Sequence, residues 1–155
     1  MHLKSITLKG FKSFAKATTL NFHECVSAVV GPNGSGKSNI SDAILWVLGE
    51  RSAKNIRGDA MEDVIFSGAK NKGRAAMAEV SLCLDNSDST LKIDFNDVVI
   101  TRRMYRSGES DYWLNDTPVR RLDIIDILHD SGLGSGTHSI ISQGSLDSVL
   151  GYDEF

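Results

Sequence analysis

Two periods of apolar residues run along this chain. One repeats every second residue and the other every three to four. The two-residue period is clearest over Ala76–Leu84. There Ala78, Val80, Leu82 and Leu84 share one face, and Glu79, Ser81 and Cys83 the other, as a half-buried strand requires. The same alternation predicts a strand over Leu3–Lys9, where Ile6 and Leu8 oppose Thr7 and Lys9. Gly10 and the run Phe11-Lys12-Ser13-Phe14 follow as a bend with two aromatic anchors. Thr18–Phe22 reads as a second strand. Val26, Val29 and Val30 read as a third, of the buried parallel kind.

The helical period appears twice. Ile40, Ile44, Val47 and Leu48 fall on one helix face, with Gly49 placed as a C-terminal stop. Leu122–His129 is amphipathic and stops before Gly132. Residues 50–63 are polar and irregular, and Val64-Ile65-Phe66 predicts a short strand. Lys70–Arg74 suggests a hairpin or exposed loop, and Asp85–Ser89 a polar loop. Strands are expected over 91–95 and 98–105, then a turn at Ser107-Gly108-Glu109 and a return through Tyr112-Trp113-Leu114. A further turn at Asn115-Asp116 leads to Pro118-Val119. The Gly-rich run 131–136 excludes regular structure, and Ile140-Ile141 starts a strand toward Gln143-Gly144. A phosphate-type helix preceded by strands and followed by many more departs from simple strand–helix alternation. It predicts a mixed α/β core with an antiparallel subdomain attached.

Bulk numbers change this picture little. The chain has 155 residues, 41% hydrophobic and 24% charged, ordinary for one globular domain. No apolar run reaches the eighteen or so residues of a membrane span, and the N-terminus lacks a secretory h-region. Cys25 and Cys83 both sit in strand-like apolar surroundings and read as buried thiols of a reducing compartment. The four histidines are scattered, without metal-ligand spacing. Charge is uneven. All 17 Lys and Arg precede residue 122, against 14 acids there, whereas residues 122–155 hold six acids and no Lys or Arg. Lys4, Lys9, Lys12 and Lys16 open the chain without an acid. Clusters follow at Arg51/Lys54/Arg57, Lys70/Lys72/Arg74 and Arg102/Arg103/Arg106. Such a surface could meet a nucleic-acid backbone, but on composition alone ordinary solvated charge is the better reading.

The chemistry concentrates in residues 31–38, Gly-Pro-Asn-Gly-Ser-Gly-Lys-Ser. The octet fits the phosphate-loop pattern G-x-x-x-x-G-K-[ST] at Gly31, Gly36, Lys37 and Ser38. Glycine is needed because the backbone turns its N–H groups inward around a phosphate, where a Cβ would block the approach. The helix that follows adds the partial positive charge of its N-terminus. Lys37 can reach the β and γ phosphates, and the Ser38 hydroxyl can hold Mg²⁺. Average composition produces this pattern by chance in about half a per cent of chains this long, so strand, loop and helix together carry the reading.

These and further residues bring the chain close to a known family. It resembles the N-terminal half of the ATPase head of a bacterial SMC protein, the chromosome structural-maintenance ATPase. The resemblance lies in Leu3-Lys4-Ser5-Ile6, Gly10–Ala15, Gly31–Asn39 with Asp42-Ala43-Ile44, Leu48-Gly49-Glu50, Arg57-Gly58, Met61–Phe66 and Ser139–Gly144. It implies a P-loop NTPase fold of the ABC type, N-terminal lobe only, with residues 1–155 as one head lobe. ATP would be held by Pro32, Asn33, Gly34, Ser35, Gly36, Lys37, Ser38 and Asn39. Lys12 and Ser13 would lie near the base or ribose. Gln143 matches the Q-loop glutamine that joins the Mg²⁺ shell with Ser38, and Arg57 an arginine that reaches the phosphates. Lys37, Arg57 and Gln143 are thus the expected catalytic residues.

The resemblance also implies partners: a C-terminal head lobe of the same protein, a second SMC head in a homodimer, DNA, and accessory segregation and condensation subunits. It implies no membrane partner, and a cytoplasmic, nucleoid-associated setting. Two parts of the family pattern are missing from the sequence. No four apolar residues precede Asp-Glu, and no LSGG-type signature occurs; Ser131–Gly136 only echoes it. In the family these follow a coiled coil and a hinge, so these residues alone are expected to be inactive in hydrolysis. The alternatives are an ABC-type DNA-repair ATPase of the RecF or RecN kind, and a non-catalytic, nucleotide-gated interaction module.

Overall fold

The computed structural model describes residues 2–21, 35–49, 61–68 and 73–130. Strict alternation builds its centre. β3 (Met77–Asp85) and β4 (Asp97–Tyr105) each bury every second side chain. Their antiparallel register sets Val80 opposite Arg102, Leu82 opposite Ile100 and Leu84 opposite Val98. β1 (His2–Lys9) joins β3 on its other side, with Ile6 opposite Leu82 and Leu8 opposite Val80. A register shift between Leu3 and Ser5 marks a bulge in that ladder. β2 (Thr18–Asn21) pairs with β1. β5 (Ser110–Leu114) and β6 (Thr117–Val119) extend the sheet beyond β4, giving the order β2-β1-β3-β4-β5-β6. The N-terminal strands therefore belong to the same antiparallel sheet as the later hairpins.

The connections follow from turn chemistry. Asn115 and Asp116 have φ of 46° and 68°, the left-handed pair of a two-residue type I′ hairpin. The Asn115 carboxamide locks it, accepting from the Val99 N–H at 2.7 Å and donating to the Asp97 carbonyl at 3.1 Å. Between β4 and β5, the Gly108 N–H returns to the Tyr105 carbonyl at 2.9 Å.

One face of the sheet is covered by α1 (Ser35–Val47). Ile40, Ala43, Ile44, Trp46, Val47 and Leu48 are all buried, a wider apolar surface than the four positions of the expected stripe. Gly49 follows with φ of 108°, as a left-handed helix stop should. α2 (Arg121–Asp130) buries Ile124 and Leu128 beside Leu91, Val98, Ile100 and Leu114. Its start is capped by Asp123, whose carboxylate accepts from the Arg120 backbone N–H at 2.8 Å, the back-reaching half of a capping box.

Three expectations are corrected. Residues 64–66 are no strand. Val64 closes a 3₁₀ turn (Met61–Val64), and Ile65 makes a single bridge to Phe11. The partner backbone turns away through Gly10 (φ 65°) and Lys12 (φ 49°), so pairing ends after the Lys12 N–H to Val64 carbonyl and Phe66 N–H to Gly10 carbonyl bonds. Residues 91–95 form bends rather than a strand. The buried Asn86 side chain gathers them, donating to the Leu91 and Phe95 carbonyls and accepting from the Leu91 N–H. A side chain that satisfies the backbone locally removes the need for a ladder. Third, Cys83 is half-buried on the sheet face away from α1 rather than in the core, and its partial burial pushes the thiol pKa up. Phe22, Cys25, the expected strand at 26–30, the 70–72 loop and everything beyond residue 130 lie outside the described residues.

Candidate functional site

The site is best approached from α1, which begins at Ser35, inside the octet 31–38. The first N–H groups of a helix have no intrahelical acceptor, and no acidic residue lies in this first turn. Gly36, Lys37 and Ser38 occupy that turn, so the backbone and charge pattern suit an anion. The side chains of residues 35–38 are outside the described ones, as are Pro32, Asn33, Gly34, Arg57 and Gln143.

What the structure does bring together is the bend and the helix. The Asn39 carboxamide donates to Ser13 Oγ at 2.8 Å. Lys12 Nζ lies 2.7 Å from Asp42 Oδ2, with both side chains largely shielded from solvent. Lys12, Ser13 and Asn39, three of the expected nucleotide-site residues, thus form one group one to two turns from the start of α1. Phe11 anchors the bend, its ring 5.3 Å from that of Trp46. Gly10 permits it. Besides the positive φ, a Cβ there would overlap the Met77 carbonyl oxygen.

The other end of the helix is not visible in the basic clusters of the sequence. Arg102, Arg103 and Arg106 form one such cluster, but the structure separates the three. Arg102 is 3% exposed and donates to the Trp46 carbonyl at 2.8 Å. Arg103 points to the opposite face, where it pairs with Glu79 and lies over the Trp113 ring. Arg106 is spent on the Phe66 and Ala75 carbonyls. The signal was present in the alternation Val98, Ile100, Arg102, Met104, which puts Arg102 on the inward parity of β4. Asp42, buried on α1, was missed as the partner of Lys12.

On the outer face, Glu79, Ser81, Thr101, Arg103, Trp113 and Asp116 line a shallow polar groove of about 350 Å³. Among the described residues no group of His, Cys, Asp or Glu is placed to hold a metal ion, and no helix is long and apolar enough to cross a membrane.

Relatives are close over nearly all of these residues. The chain is 54% identical to the chromosome partition protein Smc of Mycobacterium leprae over 97% of its own length, and spans 12% of that protein. It superposes with a TM-score of 0.78 at 44% identity on a structure solved in work on the ATP-driven dimerization and DNA-stimulated activation of SMC ATPases, covering 85% of this chain and 80% of that one. A second likeness, TM-score 0.77 at 45% identity over 84% of this chain and 41% of that chain, is to an SMC head bound to the C-terminal winged-helix domain of ScpA. The RecF/RecN/SMC N-terminal domain pattern matches residues 2–145, and the chain belongs to that family.

Proposed function

We propose that these residues are the ATP-binding lobe of the head of a chromosome condensation and segregation ATPase. The observation that carries the reading is the start of α1 at Ser35, within a complete phosphate-loop octet and with no acid in its first turn. In this reading the backbone of Gly34–Ser38 cradles the β and γ phosphates of ATP. Lys37 neutralises them, and Pro32, Asn33 and Asn39 shape the loop. Ser38 and Gln143 would hold Mg²⁺, which would supply charge neutralisation for the phosphates. Arg57 places a guanidinium at the γ phosphate, where charge develops. Lys12 and Ser13 border the nucleotide from the bend that Asp42 and Asn39 hold.

The whole protein's partners belong to the same reading. Residues 1–155 form one lobe, completed by a C-terminal lobe that brings the missing acidic and signature motifs. ATP between two such heads draws them together, hydrolysis releases them, and DNA stimulates the cycle. The SMC ATPase neighbour was solved in that context, and the ScpA-bound head supports an accessory segregation subunit as partner. Identity to Smc proteins over almost the whole chain favours this reading over a RecF or RecN repair ATPase.

The test is calorimetric titration of Mg·ATP into wild type and Lys37→Ala. Loss of a charge-assisted phosphate contact costs roughly 1.5–3 kcal/mol, about ten- to more than a hundredfold in affinity. Equal affinities for the two proteins would end the phosphate-loop assignment.

A further inference from the structure

A buried guanidinium at the far end of the phosphate-loop helix has no part in the reading above. Arg102 projects from the centre of β4 toward the last turn of α1. It donates to the Trp46 carbonyl at 2.8 Å, and Nε and Nη2 reach Ser110 Oγ at 3.4 and 3.3 Å. Its plane is held between two aromatic rings, 4.6 Å from the centroid of Trp46 and 5.1 Å from that of Tyr112. Beside it, Arg121 at the first position of α2 donates to the Gly49 carbonyl at 2.7 Å. Two cations from two different elements thus hold one helix at its last turn, through Trp46, and at the glycine that stops it, the end that carries partial negative charge.

We propose that Arg102, assisted by Arg121, is a positioning residue for the nucleotide. It sets where α1 presents its first turn by holding the helix from its last. The inference rests on the phosphate-loop reading of residues 31–38. Apolar burial of Ile40, Ala43, Ile44 and Val47 presses α1 onto the sheet, but that force has no direction. Burial of one face sets rotation about the axis but resists sliding along it only weakly. The Lys12–Asp42 and Asn39–Ser13 contacts tie the helix to the bend, and the directional hydrogen bonds to the Trp46 and Gly49 carbonyls tie its other end to β4 and α2. The 13-residue helix is about 20 Å of stiff rod, so a shift at Trp46 appears at Lys37 and Ser38. A buried charge is a costly way to gain stability alone, since an apolar side chain of the same volume often does as well. Its use here fits a demand for position.

The experiment measures binding of Mg²⁺ with a fluorescent N-methylanthraniloyl-ATP probe to the intact protein, at a temperature where melting curves show each variant folded. Arg102→Met keeps the length and the apolar contacts but loses the donors. Misplacing contacting groups by about an ångström costs on the order of a hundredfold in reactivity, and a tenfold or greater loss of probe affinity is expected. Arg102→Lys, which restores a cation, should recover most of it. A variant that melts lower yet binds with wild-type affinity would show a merely structural role and overturn the proposal. If Arg102→Met does not fold, Arg121→Met decides on its own: a threefold or greater weakening supports the inference and unchanged affinity overturns it. Lys37→Ala in the same assay separates the two levels. If it binds like wild type, the phosphate-loop reading falls and this proposal falls with it. If it loses binding while the arginine variants do not, only this proposal falls.

Discussion

Lys12 Nζ and Asp42 Oδ2 lie 2.7 Å apart across 30 residues of sequence, with side-chain exposures of 15% and 6%. Lys12 sits in a left-handed bend, and Asp42 in the middle of α1. Their pairing fastens the bend to the helix one to two turns behind the phosphate loop. Removing one member of a buried ion pair strands the other charge. Asp42→Leu or Lys12→Met alone should therefore destabilise the protein by about 3 kcal/mol, while the two together should cost much less. Urea denaturation of the two singles and the double gives the coupling directly. Additive effects would mean that the pair does not hold the bend.

Asn86 organises the connection from β3 to β4. It is 2% exposed and exchanges bonds with Leu91 and Phe95. Asn86→Ala should cost about 2–3 kcal/mol, the sum of lost bonds and newly unsatisfied carbonyls. The amide of Leu91 should also lose its protection from hydrogen exchange. Unchanged exchange at Leu91 would show that burial of its own side chain holds the loop.

The start of α2 carries a pH dependence. Hydrogen bonds from the Arg120 side chain and backbone hold the Asp123 carboxyl below the usual carboxylate range. A depressed folded-state pKa adds stability that is present above the unfolded value and is lost as pH falls through the folded one. Asp123→Asn should therefore flatten the stability curve below about pH 4 and leave its shape near neutrality unchanged. The comparison is the urea midpoint of both proteins from acid to neutral pH. Parallel curves would remove Asp123 from the acid response.

Residues 1–155 by themselves should show no ATP hydrolysis above background, because the base that positions water and part of the magnesium shell come from elsewhere in this reading. Adding the C-terminal lobe in trans should raise the melting temperature and bring turnover. Arg57→Ala should then lower turnover or its stimulation by DNA while the fold survives. Turnover by residues 1–155 alone, abolished in Lys37→Ala, would mean that the catalytic base lies within them. Full activity of the Arg57→Ala head would take Arg57 out of the site.

Much of the fold is written in short-range pattern. The parity of β3, the helix face Ile40/Ile44/Val47/Leu48, the glycine stop at Gly49 and the Asn115-Asp116 turn were all legible. Each depends on residues within one or two turns or pleats of one another, where side-chain period and allowed φ leave few choices. The octet 31–38 that the proposed phosphate loop rests on is likewise a contiguous sequence pattern of glycines, lysine and serine. Family resemblance was legible in the whole run from Leu3 to Gly144.

Only the tertiary structure decided the rest, and the reason is chain separation. Arg102 and Arg103 are adjacent and chemically identical, yet one caps α1 and the other pairs with Glu79 on the outer face. The pleat separates them, but the Trp46 carbonyl and the Glu79 carboxylate that they bond lie 56 and 24 residues away. Val64–Phe66 and 91–95 have strand-like composition. They gained no ladder because the Gly10–Lys12 backbone bends away from the first and Asn86 satisfies the second. Local sequence sets the period of a segment; which backbone lies beside it, and whether a buried side chain reaches it first, is settled when distant segments pack.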